Sequence, residues 1–136
     1  MKKLLWLLIP VFGIVLTSCS AEEDIANPNT VTDIVTTGKW QVNTYIESNQ
    51  DHTNDFAGYS FSFNRNGTVT ATNGGTTYTG SWAEDKVLRR ITFNFANPSP
   101  ELERINNQWG VADVRASLVN MSNNDTGSEF LGIGQQ

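Results

Sequence analysis

The feature that most restricts the fold of this chain is an alternation of apolar and polar residues that starts near Gly38. Successive side chains of a strand point to opposite faces of a sheet, so a period of two predicts strands with one buried face. The first strand is predicted to place four side chains on one face: Trp40, Val42, Thr44 and Ile46. The same alternation marks the next four strands: Tyr59, Phe61 and Phe63; Val69 and Ala71; Tyr78, Gly80 and Trp82; Ile91, Phe93 and Phe95.

Tight turns separate these strands. Asn64-Arg65-Asn66-Gly67 follows the second strand, and Asn73-Gly74-Gly75 joins the third to the fourth. Glycine accepts a positive φ at little cost, which suits the short loops of hairpins. Strands joined in this way pair antiparallel, so the pattern predicts an antiparallel meander.

One segment departs from the alternation. Ser99 is a suitable N-cap, Pro100 suits the first helical position, and Leu102 and Ile105 stand three residues apart. These features predict a short helix over residues 100–107.

Further strands are predicted beyond this helix, at residues 109–111, 114–121 with a bulge or turn, and 130–133. The total is seven or eight strands. The sequence therefore predicts an all-β domain over residues 37–136 with one short helix.

The first eighteen residues have the pattern of a secretory signal peptide. Lys2 and Lys3 precede an apolar run over residues 4–16, which is shorter than the roughly 20 apolar residues of a membrane span. Leu16-Thr17-Ser18-Cys19 resembles the lipobox of bacterial lipoproteins at all four positions. The resemblance implies cleavage before Cys19 and lipid attachment to it. A plain signal peptide with an incidental cysteine and an uncleaved signal anchor are the alternatives.

The composition of the remaining chain narrows its partners. Cys19 is the single cysteine, so its lipidation leaves no disulfide within the chain. Removing Lys2 and Lys3 from nine basic residues leaves seven against fourteen acidic ones, a formal charge of about −7. An acidic protein repels nucleic acid and anionic lipid head groups. The expected partner is a membrane, reached through the lipid anchor, and the domain is expected to be monomeric.

The residues after Cys19 bear on location. Ser20 resembles the second residue of lipoproteins sorted to the outer membrane, and Glu22-Glu23-Asp24 resembles the export signal of surface lipoproteins of Bacteroidetes. The implied location is the outer membrane, with exposure on the cell surface; a solvated acidic tether is the alternative. Residues 19–36 contain Asn27-Pro28-Asn29 and lack a period, so they are predicted to be a flexible linker.

The domain itself resembles a known family. Gly38-Lys39-Trp40 is similar to the G-x-W motif of lipocalins, whose Trp plugs the closed end of an eight-stranded barrel. Four further segments extend the resemblance to lipocalin-like domains of Bacteroidetes lipoproteins: Phe61-Ser62-Phe63-Asn64, Asn66-Gly67-Thr68-Val69, Gly80-Ser81-Trp82 and Trp109-Gly110-Val111. The resemblance implies an antiparallel up-and-down barrel of seven or eight strands with Trp40 as its plug.

The last strand departs from the lipocalin pattern. Lipocalins tend to place a basic residue there, stacked on the motif Trp, whereas residues 130–136 contain none. Arg115 and Arg90 are the candidate substitutes. An open sandwich or a shortened barrel is the alternative to a closed barrel.

Whether such a barrel holds a ligand depends on its interior. Eight strands enclose a space just wide enough to be filled by side chains or to hold one small molecule. The many large residues predicted to face inward favour a packed core. The other reading is an apolar pocket at the open end, lined by Tyr59, Tyr78 and Trp82.

The sequence offers few candidates for catalysis or metal binding. His52, the sole histidine, lies in a polar segment near Asp51 and Asp55, which is too few ligands for zinc. The Asp51-x-Thr53-x-Asp55 spacing is partly that of a calcium loop but lacks the following Gly and the distal Glu, so a solvated loop is the default. No G-x-S-x-G accompanies a serine. No catalytic residue, cofactor or metal is therefore predicted.

Other charged pairs are read as surface features. Glu84-Asp85 and Glu101-x-Glu103 are carboxylate pairs, but neighbours on a strand face opposite ways and the helical pair is expected to be solvated. Arg89-Arg90 is expected on the barrel surface beside Glu84 and Asp85. The sequence thus predicts a non-enzymatic lipoprotein of the outer membrane or cell surface that binds a small apolar molecule, a glycan or a peptide. The alternative is a structural or protein-interaction module with a solid core.

Overall fold

The structure of the chain is a computed structural model that describes residues 30–123, 125 and 127–136. The predicted signal peptide over residues 1–18, the lipidation site Cys19 and the acidic residues 22–24 lie outside the described residues.

The described residues form nine strands and three short helical segments. The strands are β1 (Trp40–Glu47), β2 (Gln50–Asp51), β3 (Ser60–Phe63), β4 (Thr68–Asn73), β5 (Thr76–Asp85), β6 (Arg90–Phe95), β7 (Gln108–Arg115), β8 (Leu118–Ser122) and β9 (Glu129–Gln135). The helices are α1 (Val31–Val35) and α2 (Pro100–Ile105), and a 3₁₀ turn spans Thr53–Phe56.

The sheet closes on itself. The order is β2-β1-β3-β4-β5-β6-β7-β8-β9, every pairing is antiparallel, and β9 pairs with β1 as well as with β8. Leu131 shows the closure directly, since it is opposite Met121 on one side and Tyr45 on the other. Eight strands make the barrel, and the two-residue β2 pairs with the part of β1 that β3 does not reach. The predicted antiparallel barrel is therefore confirmed, and the open sandwich is excluded.

The two ends of the barrel differ. The first, called here the α1 end, is where β1 begins, and it carries α1 and the turns β3–β4, β5–β6 and β7–β8. The second, called the loop end, carries the 3₁₀ turn, α2 and the turn β4–β5. Both ends are covered by apolar side chains, Val31, Ile34 and Val35 from α1 and Phe56, Leu102 and Ile105 at the loop end.

The interior is filled by the chain's own side chains. Trp40, Tyr45 and Trp109 are 0% exposed, and the Tyr45 ring makes edge contacts with Phe56 and Trp109 at centroid distances of 5.1 and 6.5 Å. Aromatic rings bury more apolar area than other side chains, so they contribute much of the stability of a domain this small. The packed-core reading of the sequence matches this arrangement.

Each indole N–H inside the barrel has a backbone partner. Trp40 donates to the Thr37 carbonyl at 3.1 Å, Trp82 to that of Asn64 at 2.9 Å, and Trp109 to that of Ile105 at 3.0 Å. Burying an indole without such a bond is costly. The three rings are therefore fixed parts of the core.

The inward face of β1 differs from the prediction. The pairing of β1 with β9 shifts register between Val42 and Thr44, so an extra residue interrupts the alternation. Tyr45 is fully buried, whereas Thr44 and Ile46 are only partly buried. The prediction that Thr44 and Ile46 share the buried face with Trp40 is therefore wrong beyond the bulge.

Residues 31–35 also depart from the prediction. The linker predicted over residues 19–36 contains α1, whose N-cap Thr30 accepts a hydrogen bond from the Asp33 N–H. Val31, Ile34 and Val35 are buried in the core. The prediction of a flexible linker is therefore wrong for residues 31–35, because they form a helix that covers one end of the barrel.

The helix predicted over residues 100–107 is present as α2, over Pro100–Ile105. Ser99 caps it by accepting from the Leu102 N–H at 3.3 Å. Asn106 ends it, since its side chain accepts from the Phe95 N–H and donates to the Phe95 carbonyl. α2 is thereby tied to β6 at the loop end.

Candidate functional site

A groove opens at the α1 end of the barrel, between α1, the β5–β6 turn and the β7–β8 hairpin. Its volume is about 470 Å³. Residues from all three elements line it: Thr30, Val31, Ile34, Glu84, Lys86, Arg89 and 111–116. Ligand pockets of proteins typically measure about 300 to 1,000 Å³, so the groove is large enough for one small molecule.

The lining of the groove is mixed, with an apolar part formed by α1 and β7. Val31 and Ile34 present the buried side of α1, and Val111 and Val114 are partly buried side chains packed against the core. These side chains offer apolar contact to a ligand without opening the barrel. An apolar part of a ligand therefore fits this wall better than a fully polar one.

Glu84 lies among the lining residues, but its carboxylate already accepts hydrogen bonds from α1. Its carboxylate accepts from the Val31 and Thr32 N–H groups at 3.2 and 2.9 Å and from the Thr32 hydroxyl at 2.6 Å. Carboxylates stabilise the first turn of a helix, where backbone N–H groups lack partners. Glu84 therefore holds α1 in place as one wall of the groove.

The rim is cationic. Arg115 forms a salt bridge with Asp113 at 2.9 Å, whereas Lys86 and Arg89 form no ion pair within residues 30–123, 125 and 127–136. Both side chains are exposed. The groove thus combines apolar side chains with two exposed cations outside the ion pairs, which fits a small amphipathic anion.

The residues predicted to line a pocket do not line this groove, and only two of the three come together. The Tyr59 and Tyr78 rings are in contact at the loop end, with centroids 6.4 Å apart. Trp82 lies towards the α1 end, against Phe63 at 5.6 Å. Tyr59 and Trp82 are both buried, 5% and 6% exposed. Among the described residues, all three act as parts of the packed interior.

Trp40 is fully buried at the start of β1, under α1. Neither Arg115 nor Arg90, the candidates for the basic residue that stacks on the motif Trp in lipocalins, has its hydrogen-bond partner at Trp40. Arg115 is 72% exposed and bound to Asp113, and Arg90 donates to Gln108 at 3.0 Å. α1 instead covers this end of the barrel.

The loop around His52 is held by its own hydrogen bonds. Asp51 accepts from the Thr53 N–H at 2.9 Å and the Thr53 hydroxyl at 2.6 Å, and these bonds lower the pKa of Asp51. Asp55 accepts from Arg104 at 2.7 Å and lies 3.3 Å from His52. The Asp51-x-Thr53-x-Asp55 spacing therefore provides hydrogen bonds within the loop. In the described part of the chain, no group of three His, Cys, Asp or Glu side chains is placed to hold a metal ion.

The carboxylate pairs have separate partners as well. Glu84 holds α1, whereas Asp85 accepts from the Val87 and Leu88 N–H groups at 3.0 and 2.9 Å. Glu101 accepts from the Tyr59 hydroxyl at 3.3 Å. Neither pair of carboxylates is therefore directed at one shared ligand position.

Among the residues described, no helix has the length and apolar character needed to cross a bilayer.

The groove was not predicted from the sequence, although two of its signals are visible there. Thr30 and Asp33 have the spacing of a capping box, which marks the start of α1. Arg89 belongs to the basic doublet Arg89-Arg90, which is expected on the barrel surface. Bringing α1, Lys86 and the β7–β8 hairpin together depends on barrel closure, which no local pattern encodes.

Comparison with solved structures gives the class of this fold. The chain is similar to a DUF4847 family protein from Bacteroides vulgatus, with 16% identity, a TM-score of 0.61, and coverage of 78% of this chain and 97% of that one. It is also similar to a lipocalin-like protein from Bacteroides uniformis, with 16% identity, a TM-score of 0.55, and coverage of 74% and 98%. No protein-family model and no curated protein matches the sequence.

These likenesses concern the fold alone. Together with the closed barrel, they support a lipocalin-like domain. Here the barrel has a filled interior and a groove outside it.

Proposed function

We propose that this chain is a lipid-anchored lipoprotein of the outer membrane, exposed on the cell surface, whose barrel is a non-enzymatic binding module. The lipobox over residues 16–19 supports the anchor, and Ser20 with the acidic residues 22–24 supports the location. The ligand site is the groove at the α1 end. The ligand class is a small amphipathic anion, such as a carboxylate with an apolar chain.

The observation that carries this assignment is the contrast between the filled core and the open groove. The barrel interior holds Trp40, Tyr45 and Trp109 with 0% exposure, which leaves no room there for a ligand of useful size. The groove offers about 470 Å³, an apolar part formed with Val111 and Val114, and the charges of Lys86 and Arg89, which form no ion pair among the described residues. A carboxylate at the rim and an alkyl chain along Val111 and Val114 match both properties.

Binding is tested with a naturally fluorescent polyene fatty acid and the purified full-length chain. Saturable fluorescence enhancement is expected, and Lys86→Ala together with Arg89→Asn is expected to weaken it about tenfold. Asn is chosen because Arg89 has a φ of 53°, which Asn tolerates better than most residues. Arg104→Ala, at the loop end, is the matched control and is expected to change the affinity by less than about twofold.

The methyl ester of the same fatty acid separates charge from apolar contact. It is expected to bind the parent protein and the Lys86 and Arg89 variant equally and weakly. Equal affinity of the acid for parent and variant would rule out the cationic rim as its site.

The anchor is tested by metabolic labelling with a tagged fatty acid. Cys19→Ala is expected to abolish labelling and to release the protein from the membrane fraction, because each buried CH₂ of the acyl chains contributes about 0.8 kcal/mol to membrane attachment. Cys19→Ser is a second, more conservative variant with the same expected result, since it keeps a polar side chain of similar size but provides no thiol. Labelling that persists in both variants would refute the lipobox assignment.

A second function is favoured by the filled interior itself: a structural or protein-interaction module that carries no small molecule. A native mass spectrum of the protein purified from its own host distinguishes the two. A co-purifying small molecule supports the binder, whereas the bare chain with a bound protein supports the module.

A further inference from the structure

The β5–β6 turn exposes an apolar tip at the α1 end. Val87 is 90% exposed and Leu88 is 58% exposed, two adjacent large apolar side chains facing solvent. The turn is well ordered by hydrogen bonding, since Asp85 accepts from both of their backbone N–H groups. The exposure of these two side chains is thus built into the turn.

Cations flank this tip in the sequence. Lys86, Arg89 and Arg90 lie within the same five residues of the chain. Arg65, in the β3–β4 turn, and Arg115, at the end of β7, lie at the same end of the barrel. Arg65 is paired with Asp33 and Arg115 with Asp113, so Lys86, Arg89 and Arg90 are the cations beside the tip that form no ion pair among the described residues. An apolar tip flanked by basic side chains is typical of surfaces that sit in the head-group region of a bilayer.

Charge is separated along the barrel axis. Of the seven basic residues in the described part of the chain, six lie at the α1 end: Lys39, Arg65, Lys86, Arg89, Arg90 and Arg115. That end holds four of the described acidic residues: Asp33, Glu84, Asp85 and Asp113. The loop end holds Arg104 and the other seven: Glu47, Asp51, Asp55, Glu101, Glu103, Asp125 and Glu129. The formal charges of the described residues are therefore +2 at the α1 end and −6 at the loop end.

The point of attachment lies on the same side. The described chain starts at Thr30, at the α1 end, and Cys19 precedes it by eleven residues. Eleven Cα–Cα steps span at most about 40 Å. An anchor at Cys19 therefore keeps the basic, apolar-tipped end close to the bilayer.

We infer that the α1 end of the barrel docks on the membrane, with Val87 and Leu88 inserted among the head groups and the surrounding cations on anionic lipids. This inference rests on the proposed lipid anchor. It goes further by fixing the orientation of the domain and naming the surface that it binds, an anionic bilayer. The acidic loop end then faces away from the membrane, where repulsion from anionic lipids is weakest.

The test uses the full chain, purified from membranes and reconstituted in vesicles of phosphatidylcholine with 30% phosphatidylglycerol. Val87→Cys is labelled with an environment-sensitive fluorophore, and quenching by lipids with a nitroxide near the head group is measured. Thr77→Cys, an exposed site at the loop end, carries the same fluorophore as the matched control. Quenching at position 87 is expected to be at least about threefold stronger than at position 77.

The charge contribution has its own measurements. Pure phosphatidylcholine vesicles and the added change Lys86→Glu are each expected to reduce quenching at position 87 by about half or more. Equal quenching at the two labelled positions overturns the docking orientation, and equal quenching in neutral and anionic vesicles overturns the assignment to anionic lipid. A fluorophore at position 87 shielded from both lipid nitroxide and aqueous iodide shows a protein partner there, which also overturns it.

Labelling of the unsubstituted protein distinguishes a failure of the proposed lipid anchor from a failure of the docking inference. Its single Cys19 is expected to take up no fluorophore, because its thiol is acylated. Labelling of Cys19 overturns the proposed anchor. A blocked Cys19 with no quenching at position 87 leaves the anchor standing and overturns the docking alone.

Discussion

Tyr45 has a buried hydroxyl for which the described residues supply no hydrogen-bond partner. Its ring is well packed against Phe56 and Trp109, so the aromatic body stabilises the core while the hydroxyl costs free energy. Removing an unsatisfied buried hydroxyl, with the ring kept, is expected to be stabilising. Tyr45→Phe is predicted to raise the free energy of unfolding at pH 7 by about 1 kcal/mol, measured by urea denaturation.

The same substitution changes the pH dependence of stability. Burial, with Glu47 and Glu129 nearby, raises the pKa of Tyr45 to about 12, whereas an unfolded tyrosine ionises near pH 10. Above pH 10 the folded state binds more protons than the unfolded state, so this group lowers stability as the pH rises from 10 to 12. The advantage of Tyr45→Phe over the parent protein is expected to grow in that interval by up to about 2 kcal/mol. A constant difference from pH 7 to 11.5 would contradict this account.

The position of Tyr45 also shows a limit of local pattern. The alternation predicts Thr44 and Ile46 on the buried face, and the bulge in β1 turns Tyr45 inward in their place. A bulge is set by the pairing of β1 with β9, which is about 90 residues away. Period-two reading therefore places residues correctly up to the bulge and wrongly beyond it. The alternation in β6 has no such interruption, and Ile91, Phe93 and Phe95 are buried as predicted.

Among the elements, α1 depends most on a distant contact. It is five residues long and rich in β-branched side chains, which disfavour a helix in isolation. Glu84, from β5, supplies the acceptor for its first N–H groups. The sequence around residues 31–35 therefore reads as a linker, because the interaction that stabilises the helix comes from about 50 residues further along the chain. α2 has its N-cap, Ser99, beside it in the sequence, and it begins at the predicted residue, whereas it ends two residues before the predicted end, where Asn106 binds Phe95 of β6.

Glu84→Ala removes the contact that holds α1. The expected result is a loss of about 2 kcal/mol of unfolding free energy, because three hydrogen bonds to a partly buried carboxylate are lost together. Amide hydrogen exchange at Val31 and Thr32 is expected to accelerate. Glu103→Ala, on the exposed side of α2, is the control and should change stability by less than about 0.5 kcal/mol. Unchanged protection in α1 of the Glu84 variant would show that apolar packing alone holds this helix.

For the whole molecule, closure of the barrel and the distribution of charge between its two ends limit where a binding site can lie. Pairing of β9 with β1 seals the barrel, and aromatic rings fill it. The sequence predicts the strands from their alternation, but closure follows from the lipocalin resemblance and is not visible in any one segment. The groove and the separation of charge become visible once the turns are assembled at the two ends. Both the groove and the exposed tip lie at the α1 end, so a ligand of the groove is expected to be an amphiphile that partitions into or near the membrane.

The central claim is that this barrel binds its ligand outside a solid core. The most direct test is a two-dimensional ¹H–¹⁵N NMR titration of the protein with decanoate. Backbone amides of residues 111–116 and of Ile34 are predicted to shift in a saturable manner, while the indole N–H signals of Trp40, Trp82 and Trp109, each bonded to a backbone carbonyl inside the barrel, stay in place. Saturable shifts of the indole signals, with none at residues 111–116, would contradict it.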